Sequence, residues 1–160
     1  MIVVVKVTVV YESKYGNTKL VAETIAEGMG KIEGIETVVK ELGEVDPNEI
    51  ADYDTILIGS PNYYGGPTKA VKEFIQRLGK LHLKGKLFAA FDTYLGKRSD
   101  FFFEKVVKKI EKIINEKVPA LKQMAPGLSI KVQGMKGPIM EGELPKCKEF
   151  GKKIATQLKT

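Results

Sequence analysis

The chain has 160 residues, 43% hydrophobic and 29% charged, with one cysteine and a formal net charge of +6 at pH 7, a balance that predicts one soluble domain over residues 1–160. No apolar run approaches the ~20 residues that span a bilayer, and Met1-Ile2-Val3-Val4-Val5 gives way to Lys6 and Thr8, so it reads as a strand and not an export signal. The lone Cys147 and single His82 exclude an internal disulfide, CxxC sites, His-rich metal sites and, unless His82 itself serves, Ser-His or Cys-His nucleophile pairs; a reducing, cytoplasmic setting is expected.

Ile2 to Val10 is apolar at nearly every position, as in a central strand buried on both faces. Leu20, Val21, Ile25 and Met29 recur at helical spacing, with Gly28, Gly30 and Gly34 to end the helix. Ile35 to Val39 is a second strand, Asp46 to Glu49 a turn or short helix, and Thr55 to Gly59 a third strand. A loop rich in Pro, Tyr and Gly follows, and Ala70, Val71, Phe74, Ile75 and Leu78 mark the next helical face. Leu87 to Phe91 is a fourth strand. From an N-cap at Ser99 or Asp100, the residues Phe103, Val106, Val107, Ile110, Ile113 and Ile114 trace a third helix that stops before Pro119. Leu128 to Val132 is a fifth strand, preceded by a short extended piece at Ala120 to Lys122, and Leu144, Cys147, Phe150, Ile154 and Leu158 form the stripe of a last helix. Such alternation predicts an α/β fold, a parallel sheet with helices on both faces. Ligands of open parallel sheets sit beyond the carboxyl ends of the strands, which directs attention to residues 11–18, 59–67 and 91–98.

In the first loop, Ser13-Lys14-Tyr15-Gly16-Asn17-Thr18 runs directly into a helix. Unpaired N–H groups, the positive end of the helix dipole and three hydrogen-bonding side chains make this a phosphate cradle, although Asn17 and Thr18 as simple caps would read the same way. Neither the GxxxxGK pattern nor GxGxxG is present. Strand, then Tyr11 to Thr18, then helix resembles the phosphate loop of the flavodoxin family, S/T-x-T/Y-G-N-T. The resemblance implies a three-layer α/β/α sandwich with a five-stranded parallel sheet in the order 2-1-3-4-5. It also implies noncovalent FMN, its phosphate held by N–H and hydroxyl groups of Ser13 to Thr18 with Lys14 solvated.

Gly59-Ser60-Pro61-Asn62-Tyr63-Tyr64-Gly65 is similar to the family's first ring-binding loop, G-S/T-P-T/N-Y/R-x-G. A flat apolar ring needs aromatic or proline surfaces to stack on and exposed backbone for its polar edge, which Pro61, Tyr63, Tyr64 and the glycines supply. The alternative is a turn whose tyrosines cover the edge of the core. The third loop departs from the family pattern, for Asp92 stands where many relatives carry a small residue. Asp92, Thr93 and Tyr94 are the candidates to line the ring's other side; an ionised Asp92 there would disfavour added negative charge and lower the potential. The alternative for Asp92 is a cap or bond within its own loop.

Outside these loops, Cys147 reads as an inert core thiol, His82 as part of an exposed connection, and Met135 to Leu144 as a turn leading into the last helix. The expected function is a carrier shuttling electrons between redox partners through FMN, as a monomer or homodimer. The alternatives are an FMN-dependent NAD(P)H:quinone oxidoreductase or flavin reductase, and a module that has lost FMN and acts in protein interaction. Residues 1–80 carry 9 basic and 12 acidic side chains, residues 81–160 carry 17 and 8. Family carriers are acidic around the flavin, so the basic second half departs from that pattern; if Lys97 and Arg98 rim the flavin edge, an acidic partner is expected. Charge alone does not carry a nucleic-acid reading, since RNP-like aromatics, zinc ligands and a helix-turn-helix pattern are lacking, and neither a nucleic-acid nor a membrane partner is expected.

Overall fold

The computed structural model describes residues 3–95 and 105–160. In chain order these form β1 (Val5–Tyr11), α1 (Asn17–Met29), β2 (Ile35–Glu41), 3-10 helices at Leu42–Glu44 and Pro47–Asp52, β3 (Thr55–Pro61), α2 (Lys69–Leu78), β4 (Leu87–Leu95), α3 (Val106–Lys117), β5 (Lys122–Gln123), β6 (Leu128–Val132) and α4 (Leu144–Lys159). Every ladder is parallel and the order is β2-β1-β3-β4-β5, with β6 also on β4. The expected order 2-1-3-4-5 is thus present, with the fifth position split: β5 pairs with Leu87 and Phe88, β6 with Phe91 to Leu95. At the interruption, the buried Glu111 carboxylate on α3 accepts from the Gln123 amide at 2.6 Å and from the Gly127 N–H at 3.0 Å. A helix side chain there replaces a strand partner for backbone that leaves the ladder.

Double burial of the central strands follows from their unbroken apolar runs. Val10, Ile56, Ile58, Phe88 and Ala90 face Val71, Phe74, Ile75 and Leu78 of α2 and Val107, Ile110 and Ile114 of α3. The intervening positions Val7, Val9, Leu57, Ala89 and Phe91 face Val21, Ile25 and Met29 of α1 and Cys147 and Ile154 of α4. Side chains alternate sides along a strand, so each strand serves both layers. Burial pushes the Cys147 thiol up to about 12, which keeps it a protonated core group. His82 is exposed.

Three sequence expectations shift. The first strand begins at Val5: Val3 and Val4 are 69% and 48% exposed and lie outside the ladder, and Ile2 lies outside the described residues. The strand reaches Tyr11, and β3 and β4 likewise run past their apolar runs to Pro61 and Leu95, because backbone pairing continues where hydrophobicity stops. The third helix starts at Val106, since Lys105 is extended at φ −61°, ψ 145°; one helix running on from Ser99 or Asp100 is therefore not formed. Ser99, Asp100, Phe103, Lys97 and Arg98 themselves lie outside the described residues. No helix among the described residues is long and apolar enough to cross a membrane.

Helices α1 and α4 approach through two glycines. A Cβ on Gly28 would lie 2.0 Å from the Lys148 carbonyl oxygen, and one on Gly151 would lie 2.0 Å from that of Ile25. Backbone cannot yield there as a flexible side chain would, so Gly151→Ala is expected to cost about 1–3 kcal/mol. Gly43→Ala, where a Cβ meets nothing within 4 Å, should stay within about 0.5 kcal/mol. Urea unfolding midpoints of the two variants check this; equal midpoints would show that the crossing relaxes freely.

A cleft at the carboxyl ends of the central strands

The first loop is built around a helix start left open. Gly16 has φ +94°, a conformation that glycine adopts without the Cβ penalty, and its N–H donates to Ser13 Oγ at 3.0 Å. No side chain caps α1, so its first-turn N–H groups are left to water or a ligand. Helix α2 differs: Thr68 Oγ1 accepts from the Val71 N–H, while its hydroxyl donates to the Glu12 carboxylate. Thr18 is buried and its Oγ1 lies 2.9 Å from Thr93 Oγ1, tying α1 to β4. Lys14 extends over the rings of Tyr15 and Tyr63, at 5.9 and 5.2 Å.

The second loop is a tight turn. Tyr63 and Gly66 exchange both backbone hydrogen bonds, at 2.8 and 3.1 Å, and the two residues between them have positive φ, Tyr64 at 51° and Gly65 at 83°. That is the geometry of a type I′ turn, for which glycine or asparagine is the usual occupant. A tyrosine there costs about 1–2 kcal/mol, and its side chain is 95% exposed. The turn thus holds the ring out of the core and at the wall of a cleft. Asn62 holds the turn: its N–H donates to the Thr93 carbonyl at 2.9 Å and its Oδ1 accepts from the Gly65 N–H at 2.8 Å. Ser60 is fully buried, donating to the Pro61 carbonyl and accepting from the Thr68 N–H, so it braces the loop from beneath.

The third segment is strand as far as Leu95, residues 96–98 lying outside those described, and parity decides what each side chain reaches. With Phe88 and Ala90 under α2 and α3, Asp92 and Tyr94 fall on that side and Thr93 falls beside α1. Asp92 is fully buried and accepts from the Val107 N–H at 2.7 Å. It therefore caps α3, on which Lys105 makes no side-chain cap: of the two readings of Asp92, the cap is the one formed, on α3 and not within its own loop, and Asp92 does not line the cleft. Tyr94 does line the cleft, with Lys105 5.7 Å above its ring.

Together these segments enclose a cleft of about 640 Å³, lined by Ser13, Lys14, Tyr15, Asn17, Thr18, Pro61, Asn62, Tyr64, Gly65, Thr93 and Tyr94. Tyr63 faces an adjoining hollow that reaches Glu12. Gly16 and Ser60 shape the cleft without lining it, and Asp92 is absent from it. Four lining residues were not anticipated: Leu95, Lys109, Val132 and Met135. Lys109 reaches from α3 to donate to the Gly65 carbonyl. Met135, 76% exposed, belongs to a turn in which the Gln133 N–H donates to the Pro138 carbonyl at 2.8 Å. A Cβ on Gly137 in that turn would lie 2.5 Å from Asn17 Oδ1, so the segment after β6 packs on the first loop. The sequence had marked Met135 to Leu144 only as a turn leading into the last helix, with no ligand assigned to it.

Burial raises the Asp92 carboxyl to about 6, with the Val107 N–H and then the Ser129 hydroxyl opposing the shift. A pKa raised in the folded state contributes stability that is complete below about 3.8 and is lost as pH rises through about 6. The span of that loss is about 3 kcal/mol. Asp92→Asn removes the titration, so variant and wild type should differ least near pH 4, with the variant gaining relative stability as pH rises to about 7.5. Urea midpoints across that range check it, and a pH-independent difference would show that Asp92 does not titrate there.

Comparison with known proteins agrees with this architecture. A family model, that of the flavodoxin domain, matches residues 8–132. A flavodoxin from the domain Archaea superposes with a TM-score of 0.79 at 27% identity, covering 97% of this chain and 99% of that one. Oxidised Flavodoxin 2 from Bacillus cereus gives 0.78 at 26% identity, over 97% and 99% of the two chains. The rubredoxin oxygen:oxidoreductase of Desulfovibrio gigas shares the fold at 21% identity, with a TM-score of 0.75 over 96% of this chain and 36% of that one. Whole-length likeness to the first two, and a match across all three cleft segments, place the chain in the flavodoxin family.

Proposed function

We propose that this chain binds FMN in the cleft and carries electrons between redox partners. The observation that carries the reading is one cleft with an uncapped helix start at one end and a strained, almost fully exposed tyrosine at the other. The residues present fit a flavin phosphate. Gly16 keeps the backbone of Ser13 to Thr18 open for an anion, and no acidic side chain stands in the first turn of α1 to compete. Tyr64 and Tyr94 supply aromatic surface for a flat ring. When bound, FMN supplies one- and two-electron chemistry. The protein's part is to hold the phosphate, orient the ring and leave one edge uncovered.

A flavin fluorescence titration of the folded protein tests this. Tyr64→Ala should raise the Kd of FMN and of riboflavin alike by about tenfold. Asn17→Ala should weaken FMN more than riboflavin, because only FMN carries the phosphate. Gly137→Ala, which displaces Asn17, should follow the Asn17→Ala pattern. Failure of the folded wild type to quench FMN fluorescence would overturn the reading.

A further inference from the structure

Beside the cleft, on the other side of the Tyr63–Gly66 turn, a groove of about 570 Å³ runs between α2 and α3. Lys69 and Lys72 line it from α2, Lys109 and Lys112 from α3, and Glu116 is the one carboxylate among its described lining residues. Each lysine pair is spaced three apart, which puts both members on the same helix face. The groove thus has a basic wall on either side and ends on Tyr64, which also lines the cleft.

We propose that this groove docks an acidic, Asp/Glu-rich segment of the protein that exchanges electrons with this chain, an assignment that rests on the carrier reading. Charge complementarity argues for that occupant. Alternate side chains of an extended peptide stand roughly 7 Å apart, close to the roughly 5–6 Å between residues three apart on a helix, so a run of carboxylates can meet successive lysines. Lysines are mobile point charges without the fixed fork that arginine offers a phosphate, which suits a distributed acidic surface better than one compact anion. Lys69 already has a long ion pair, 3.8 Å to Glu73 with both side chains well exposed, which an incoming carboxylate can replace at little cost. The seated segment would lie against Tyr64, at the uncovered edge of the cleft. Steering by such a patch acts on the association rate and fades as salt rises.

The test is the anisotropy of a fluorescent octaglutamate peptide titrated with FMN-loaded protein, at low salt and at about 0.15 M salt. Two double variants have equal charge change: Lys72→Glu with Lys112→Glu in the groove, and Lys152→Glu with Lys153→Glu on α4. The groove pair should weaken the peptide at least tenfold and the α4 pair less than twofold, with FMN affinity the same in both. Equal losses in the two variants, or no peptide binding at low salt, would overturn the proposal. So would NADPH displacing the peptide in a way the groove lysines control, which would make the groove a nucleotide site. The peptide arm is repeated without FMN: loss of FMN uptake alone would sink the carrier reading, whereas loss of lysine-dependent peptide binding alone would sink the groove.

Discussion

The structure depends on one constraint, that β1, β3 and β4 are buried on both faces. A strand covered from both sides has no free side on which to place a charged group, so odd and even positions must each answer to a different helix layer. Polar chemistry is then pushed to the strand ends, where the ladder continues after the apolar run has stopped. Thr18 and Thr93 satisfy one another there, Ser60 turns back on its own loop, and Asp92 finds the start of α3. The cleft lies where β1, β3 and β4 end, at Tyr11, Pro61 and Leu95.

Most of this was legible from patterns of hydrophobicity. The unbroken apolar runs of the first, third and fourth strands announced a parallel sheet, and the helical stripes located all four described helices. The first two loops were legible because their chemistry is local: a glycine ahead of an uncapped helix start and an aromatic turn are properties of neighbouring residues. Asp92 was not legible in the same way. Its surroundings depend on whether residue 92 belongs to strand or loop, and the end of an apolar run does not mark the end of a ladder. Its partner, the Val107 N–H, is backbone, which leaves no trace in side-chain identity.

Lys109 and Met135 show a second limit. Each enters the cleft from an element that carries none of the three loops, one from α3 and one from the turn after β6. Their places follow from tertiary packing: Lys109 by reaching the Gly65 carbonyl, Met135 through a turn that rests on Asn17. Basic character in the second half of the chain was visible as composition, but the groove takes Lys69 and Lys72 from the acidic first half and Lys109 and Lys112 from the second, and only the pairing of α2 with α3 brings them together.

The glycine crossing of α1 and α4 has a consequence in time. The helix that opens the first loop takes much of its cover from the last helix of this sequence, and Gly28 and Gly151 come together from opposite ends of it. Contacts so distant along the chain are slow to form, because the loop between them must be closed first. During synthesis the wall of the cleft at Ser13 to Thr18 has its fully packed support only after α4 has emerged and docked. Docking of α4 and readiness of the cleft are thus coupled, and a nascent chain that has not yet released α4 offers the start of α1 without the layer that holds it in place.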